Sequence, residues 1–265
     1  MNNIRSPRTP LLLAAFVMIG AAGCQSARNF TIFSTAQEVE IGQQVSAEIE
    51  RQNRMLADPA VVGYVSQVGA KVAAKAARQD VTYSFKVIDS PNQINAFAVP
   101  GGNIYIYSGL LRQMKTESEL AAVLGHEVAH ISLRHSMKRL TRQTGFELVL
   151  AVVLGENSPA WQSTVGKLVG NVAFLQFSKA EEEDADRDGL TFMYNAGYDP
   201  HGMVNLLTMF TTLQQSEPSK IEVFLSSHPA PQERVGIVKK LITTENLDGG
   251  IINENEYESV IKKLK

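Results

Sequence analysis

Residues 120–135 of the chain read "LAAVLGHEVAHISLRH". The centre of this stretch, "HEVAH" at residues 126–130, matches the pattern H-E-x-x-H. On an α-helix, positions i and i+4 lie about 40° apart, so the imidazoles of His126 and His130 project from the same side. There they can bind Zn²⁺, while Glu127 lies beside them to take a proton from the attacking water. This segment therefore predicts a helix that carries a metal site.

The residues around this motif predict that its helix is buried. Apolar side chains occupy nearly every side of it: Leu120, Ala121, Ala122, Val123, Leu124, Val128 and Ala129. Two imidazoles and a carboxylate are costly to bury unless a metal or hydrogen bonds satisfy them. A hydrogen-bonded polar cluster without metal is the alternative that this pattern leaves open.

Two histidines do not complete a zinc site, which needs a third protein ligand and an open position for water. His135 lies five residues beyond His130. On an uninterrupted helix that spacing turns its side chain by about 140°. We therefore expect His135 on another face, as a surface or second-layer residue, and a third ligand from elsewhere in the chain.

The stretch "SKAEEEDADRDGL", residues 178–190, is a candidate source because it contains six acids. On a helical wheel, Glu182 and Asp186 share a face with small and apolar residues. The other side of the wheel carries Glu183, Asp184, Arg187 and Asp188. Glu182 is therefore the predicted third ligand, and Asp186 the predicted acceptor that fixes the tautomer of a ligand histidine. The alternative is a pair of acids on the helix surface near salt-bridge partners.

The N-terminus has the layout of a secretory signal peptide. Arg5 and Arg8 precede an apolar run over residues 11–22, which is too short to span a bilayer. We therefore predict a signal peptide over residues 1–23. A buried N-terminal helix is the alternative.

The only cysteine of the chain, Cys24, follows that run in "AAGC". This stretch resembles a bacterial lipobox, whose cysteine becomes the lipid-bearing first residue, although Ala21 replaces the usual leucine. Gln25 is not the aspartate that retains lipoproteins at the inner membrane. The resemblance implies a lipidated tether over residues 24–34 that holds the protein on the periplasmic side of the outer membrane.

The composition is that of an ordinary globular protein. The chain has 265 residues, of which 44% are hydrophobic and 20% charged, and its formal net charge is −2. A charge this close to zero gives no basic field, which argues against nucleic acid as a partner. The apolar segment "FELVLAVVL" at residues 146–154 is too short to span a membrane, so we expect a buried helix or a surface for a partner.

Periodicity and capping signals predict a mainly helical α+β fold with one small sheet. The predicted strands cover residues 81–89 and 101–109. The predicted helices cover residues 35–52, 59–78, 117–141 and 161–196, and two more begin at Pro200 and Pro231. The first helix is predicted to carry a capping box made by Thr35 and Glu38. We expect one domain over residues 35–245, followed by a polar tail over residues 246–265.

The second strand, "GGNIYIYSG" at residues 101–109, is a candidate substrate-binding edge. An extended polypeptide can pair with the backbone of an exposed edge strand without much sequence choice. The predicted substrate-binding residues are Gly101, Gly102, Asn103, Ile104 and Tyr105. An ordinary core strand is the alternative.

Several of these motifs together resemble peptidase family M48, the Ste24-like zinc metallopeptidases. The resemblance covers about residues 30–240. It rests on "NAFAVPGGNIYIYSGLL" (95–111), "LAAVLGHEVAHISLRH" (120–135), "FSKAEEEDADRDGL" (177–190) and "SHPAPQERV" (227–235). It implies a gluzincin-type fold with His126, His130 and Glu182 as zinc ligands. It also implies that Glu127 is the catalytic base and that Asp186 lies just outside the zinc ligands and supports them.

The second family motif usually reads S-R-x-x-E-x-x-A-D. In this chain Ser178, Glu182, Ala185 and Asp186 match it, and Lys179 replaces the arginine. Lysine keeps the charge but not the forked geometry of a guanidinium.

The third family motif is the His228-Pro229 pair, with Arg234 six residues after the histidine. The resemblance places Arg234 behind the ligands and His228 at the catalytic centre. His228 can act there as a hydrogen-bond donor to the oxyanion, or as a fourth ligand that closes the site to water. A loop histidine without a role is the remaining alternative.

The function predicted from these residues is a zinc-dependent endopeptidase of the cell envelope that acts on misfolded or unassembled polypeptides. One alternative is a chaperone or binding module whose zinc is only structural. A structural site is closed by four ligands and has no use for a neighbouring carboxylate, so Glu127 favours the enzyme. Another alternative is a metal-dependent hydrolase that acts on something other than peptides.

Overall fold

A computed structural model describes residues 30–143, 158–163 and 176–264. The predicted signal peptide, Cys24 and the apolar segment 146–154 lie outside the described residues. Within the ranges given, no helix has the length and apolar character that a membrane span requires.

The predicted fold class is confirmed, because helices surround one three-stranded sheet. The helices are α1 (Thr35–Gln52), α2 (Pro59–Ala73), α3 (Ser108–Gln113), α4 (Glu117–Ser132), α5 (His135–Gln143), α6 (Lys179–Asn195), α7 (His201–Ser216), α8 (Pro218–Ser227), α9 (Pro231–Thr244) and α10 (Glu254–Ile261). The strands are β1 (Ser84–Ile88), β2 (Ala96–Val99) and β3 (Asn103–Tyr107).

Side-chain caps start the first two helices. At α1, Ser34 accepts from the backbone N–H of Gln37, whose side chain accepts in return from the N–H of Ser34. The capping box therefore lies one residue before the predicted pair, and the prediction of Thr35 and Glu38 was wrong. At α2, Asp58 caps the helix as its sequence indicates, with a proline at the first helical position.

The strand order β1-β3-β2 makes β3 the central strand. β1 pairs with β3 in parallel and β2 pairs with it in antiparallel fashion. The prediction that residues 101–105 form an exposed substrate-binding edge was therefore wrong, because both sides of β3 are already hydrogen-bonded. Gly101 and Gly102 belong to a tight turn with positive φ, where a Cβ on Gly102 would lie 2.1 Å from the carbonyl oxygen of Thr82.

The two faces of the sheet pack against different helices. Ile104 and Ile106 of β3 join the large core that contains apolar residues of α2, α4, α6 and α7. Tyr105, which points the other way, joins a smaller cluster with Ile41 and Val45 of α1. This alternation follows the two-residue period of a strand and places α4 and α1 on opposite faces.

The motif-bearing helix is shorter than predicted. It ends at Ser132, and Arg134 has the positive φ of 55° that reverses the chain before α5 begins at His135. This conformation is uncommon for a residue other than glycine. Arg134 is held there by Glu38, 2.8 Å from its Nε, and by the carbonyl oxygen of Phe33, also at 2.8 Å. One continuous helix to about residue 141 was therefore a wrong prediction.

Helices α4 and α6 cross in close contact where each has a glycine. A Cβ on Gly125 would lie 2.8 Å from the carbonyl oxygen of Gly189, and a Cβ on Gly189 would lie 2.8 Å from the carbonyl carbon of Gly125. Only glycine permits this approach of two backbones. It brings the acidic face of α6 next to the histidines of α4.

Three helices were not predicted. α3 begins at Ser108, inside the strand predicted over residues 101–109. α8 lies between the helices that begin near Pro200 and at Pro231, and α10 lies in the segment expected to be a polar tail. Tyr257 of α10 is buried, and its hydroxyl donates to the carbonyl oxygen of Leu111 over 2.6 Å. Part of that segment therefore packs against the rest of the chain.

Candidate metal centre

Four buried side chains converge on one point inside the molecule. His126, His130, Glu182 and His228 each offer one ligand atom, and these atoms lie within 4.8 Å of one another. α4 supplies both of the first two histidines and α6 supplies the glutamate. His228 is the C-cap residue that follows α8.

The distances within the group are those of ligands that face a common centre. Nε2 of His126 lies 3.0 Å from Nε2 of His130. The carboxylate of Glu182 lies 3.5 Å from the first of these atoms and 3.3 Å from the second. Nδ1 of His228 lies 3.0 Å from Oε1 of Glu182 and 3.4 Å from Nε2 of His126.

Helix α6 presents Glu182 because its charged residues divide between two faces. A capping box between Ser178 and Glu181 starts the helix. Glu182 and Asp186 then have no exposed surface, whereas Glu183 is exposed. The helix therefore has the buried acidic face that the wheel predicts.

An ionic network lies behind His126. Its Nδ1 is 3.0 Å from Oδ1 of Asp186. Arg234 of α9 donates to both oxygens of Asp186 over 2.6 Å and also donates to Glu182. The helical wheel predicts Asp186, but Arg234 is predicted through the family motif alone, because nothing local to residue 234 indicates contact with α6.

Behind His130, on the side of the ring away from Glu182, lie a second imidazole and an aromatic ring. Nδ1 of His130 lies 2.9 Å from Nδ1 of His135, and the His130 ring stacks on Phe177 with centroids 3.8 Å apart. His135 is buried, so the second-layer alternative describes its position and the surface alternative was wrong. Phe177 was not predicted at the site. Its place immediately before the cap of α6 was the available signal.

Glu127 is fully buried, and neither of its carboxylate oxygens has a hydrogen-bond partner among the described residues. Oε1 of Glu127 lies 3.7 Å from Nε2 of His228, an atom that also lacks a hydrogen-bond partner among the described residues. Burial raises the pKa of the Glu127 carboxyl. Buried polar atoms normally have hydrogen-bond partners. Their absence on two neighbouring side chains indicates that this part of the site contacts something other than protein atoms.

The neighbouring charges set the protonation states of the ligands. Burial by itself would raise the pKa of Glu182, but His228 and Arg234 outweigh it and hold that pKa well below its usual range. Burial would lower the pKa of His126, but the carboxylates of Glu182 and Asp186 raise it to about 9. Burial holds the pKa of His130 well below its usual range, so this imidazole is neutral.

This donor set fits zinc. Imidazole nitrogens and a carboxylate oxygen are ligands that Zn²⁺ prefers, and a tetrahedral zinc site takes three or four of them. The cluster supplies three imidazoles and one ionised carboxylate, all buried. Glu127 stands beside this group rather than in it.

Comparison with known proteins is consistent with this geometry. The model of the family described as "Peptidase family M48" matches residues 59–242. The beta-barrel assembly-enhancing protease of Yersinia pestis is 30% identical over 213 residues, which cover 76% of this chain and 43% of that protein. The mitochondrial metalloendopeptidase OMA1 of Schizosaccharomyces pombe is also 30% identical over 213 residues, 78% of this chain and 62% of that protein.

A shorter relative is the metalloprotease LoiP of Escherichia coli. It is 31% identical over 160 residues, which cover 58% of this chain and 61% of LoiP. The chain therefore spans less than half the length of the Yersinia pestis relative and less than two thirds of the other two proteins.

Proposed function

The chain belongs to peptidase family M48, and we propose that it is a zinc-dependent endopeptidase of the cell envelope. The observation that carries the proposal is Glu127, a fully buried carboxylate that accepts no hydrogen bond from the described residues and lies next to a set of zinc-type ligands. A purely structural zinc site has no need of such a group.

The proposed reaction is the hydrolysis of a peptide bond. Zinc at this site would supply a Lewis acid that polarises the scissile carbonyl and acidifies the attacking water. Glu127 accepts the proton of that water and delivers it to the leaving amine. Asp186 and Arg234 hold the His126 ring and the Glu182 carboxylate in place, so the ligands need no rearrangement during the reaction.

We place the substrate along β2 rather than β3. The N–H of Tyr107 donates to the carbonyl oxygen of Asn95 over 3.0 Å, and the strand register then turns the backbone groups of Ala96 and Ala98 away from β3. An extended polypeptide can add itself at such an edge. Both alanines are buried in this state, so substrate entry requires a movement that uncovers the edge.

A cleft next to the strand supports an apolar preference for one substrate side chain. It has a volume of about 400 Å³, and Phe97, Tyr107 and Val223 contribute apolar surface to it. Asn95 also lines the cleft and is buried, and its Oδ1 accepts no hydrogen bond from the described residues. That oxygen can accept a backbone N–H of the substrate.

We propose that His228 keeps the resting enzyme latent as a fourth ligand. Its position within the ligand group supports this role over that of an oxyanion donor. Four protein ligands leave no position for water, so the turn after α8 must move before catalysis.

X-ray absorption should count three imidazoles on the zinc of the resting protein and two in His228→Ala. Two in both proteins would remove the latch and favour the oxyanion role.

The test of the proposed activity compares wild type with Glu127→Gln on casein or another unfolded protein. We expect the variant to lose cleavage while it keeps about one zinc per chain, because Glu127 does not bind the metal. Equal cleavage by both proteins would contradict the mechanism. Zinc without cleavage in these two proteins and in His228→Ala would favour a structural-zinc binding module or a hydrolase of other substrates.

The proposed location is the periplasmic side of the outer membrane, reached through a signal peptide over residues 1–23 and a lipidated Cys24 in the tether 24–34. The name of the Yersinia pestis relative refers to beta-barrel assembly, which supports misfolded or unassembled envelope proteins as substrates. The catalytic domain would cover residues 35–245.

Cys24→Ser should release the protein from the membrane fraction, because it removes the whole lipid anchor. Unchanged fractionation would assign the anchor to another segment.

A further inference from the structure

The position of His135 results from the break between α4 and α5. Arg134 reverses the chain with its positive φ, and His135 follows as the first residue of α5. The reversal turns the imidazole back towards α4, where only 3% of the residue is exposed. A helix that continued through this point would have turned it away.

The contact between the imidazoles of His130 and His135 fixes which nitrogen of each ring carries the proton. Nε2 of His130 faces the other ligand atoms, 3.0 Å from Nε2 of His126 and 3.3 Å from Oε1 of Glu182. To bind a metal there it must carry a lone pair, so the single proton of the neutral ring lies on Nδ1. Nδ1 of His135, 2.9 Å away, is then the acceptor, and the proton of that ring lies on Nε2.

We propose that His135 is a positioning residue that holds Nε2 of His130 towards the metal. Its Nδ1 accepts the Nδ1–H of His130, which fixes both the tautomer and the rotation of the ligand ring. Phe177 limits tilting of the same ring from its face. The inference rests on the zinc site of the proposed function but not on the reaction carried out there.

This role differs from that of Asp186 on the other ligand. The carboxylate of Asp186 adds negative charge behind His126, whereas His135 accepts a hydrogen bond without adding charge. Outer partners of ligand histidines typically contribute 10–100-fold to metal affinity. The contribution of His135 to zinc affinity should fall in this range if His135 acts through the hydrogen bond, and below it if the side chain only fills space.

Two substitutions separate the hydrogen bond from packing. His135→Asn keeps an oxygen acceptor at the position of Nδ1, and His135→Phe keeps the ring volume without an acceptor. We expect chelator competition on the full chain to show zinc affinity lowered about 10–100-fold in His135→Phe and changed less than about threefold in His135→Asn. Equal affinity in all three proteins, or an equal loss in both variants, would overturn the proposal.

A measurement on the wild type avoids any folding defect of the variants. Nitrogen-15 NMR of the zinc-loaded protein should show His130 protonated at Nδ1, with that proton in a hydrogen bond to a second imidazole. An unprotonated Nδ1 would overturn the proposal. Zinc binding with this signature but no proteolysis would leave the role of His135 intact and refute the proposed peptidase activity, so the two failures are distinguishable.

Discussion

The two histidines of the motif lie one turn apart on α4, yet their surroundings are opposite. His126 meets a carboxylate and, behind it, a guanidinium that comes from α9. His130 meets a neutral imidazole and an aromatic ring. The first half of the site is therefore held by charge and depends on distant helices. The second is held by packing and one hydrogen bond next to α4.

Glu182 belongs to both halves. Its carboxylate approaches both ligand histidines and also accepts from Arg234. The charged half supplies the negative charge that attracts a cation, and the neutral half supplies a ring that is fixed without further charge. The two ligand histidines of one zinc-type site can therefore be held in different ways, one by charged side chains and the other by uncharged rings.

Removing the shared ligand should have the largest effect. Glu182→Ala is expected to lose most of its bound zinc, a larger loss than the 10–100-fold typical of an outer partner. Glu183→Ala is the matched control, because its side chain is exposed on the other face of α6. Metal analysis of both purified proteins measures the difference. Equal zinc contents would mean that the wrong carboxylate has been assigned.

The charged half can be weakened alone with Asp186→Asn. Zinc affinity should fall about 10–100-fold. The free energy of unfolding of the metal-free protein should fall by about 3–5 kcal/mol, because Arg234 stays buried with one partner lost. Chelator competition and urea unfolding measure the two effects. Asp188→Asn, on the more exposed side of α6, serves as the control and should change neither quantity appreciably.

The neutral half should respond more weakly to Phe177→Leu. The stacked contact with His130 is expected to contribute about 1 kcal/mol, which corresponds to less than a tenfold change in zinc affinity. Phe192→Leu changes a buried phenylalanine of α6 and tests for general destabilisation. If Phe177→Leu lowered zinc affinity as much as Asp186→Asn, the proposed difference between the halves would be refuted.

The smallest effect is expected for Lys179→Ala, at the position where the family motif usually has arginine. Lys179 pairs with Glu233 at 2.7 Å, and both side chains are more than half exposed. Such a pair contributes at most about 1 kcal/mol to stability. Thermal unfolding should change little and zinc affinity not at all. A clear loss of zinc would place this residue in the site after all.

The sequence was sufficient where the deciding interactions are local. The burial of Glu182 and Asp186 follows from a helical wheel over residues 178–190, because the helix period fixes which side chains share a face. Strands β1 and β3 follow from alternation in the same way, and the starts of α1, α2, α4, α7 and α9 follow from caps and prolines.

The remaining features depend on contacts between distant residues. The break before α5 needs Glu38, 96 positions from Arg134, to stabilise a left-handed residue. β2 is only four residues long and half alanine, which gives it little strand signal, and the central place of β3 depends on pairing order. The contact between His135 and His130 could not be predicted once the helix was assumed to continue.

We propose that one buried cluster both holds the metal and activates water, and that His228 closes it. The most direct test compares cleavage of an unfolded protein by wild type, His228→Ala, and His228→Ala combined with Glu127→Gln, each with its zinc content measured. We predict faster cleavage by the single variant than by wild type. The double variant should show no cleavage while it keeps about one zinc per chain. Equal cleavage by the single and double variants would contradict the role of Glu127, and cleavage by the single variant no faster than by wild type would contradict closure by His228.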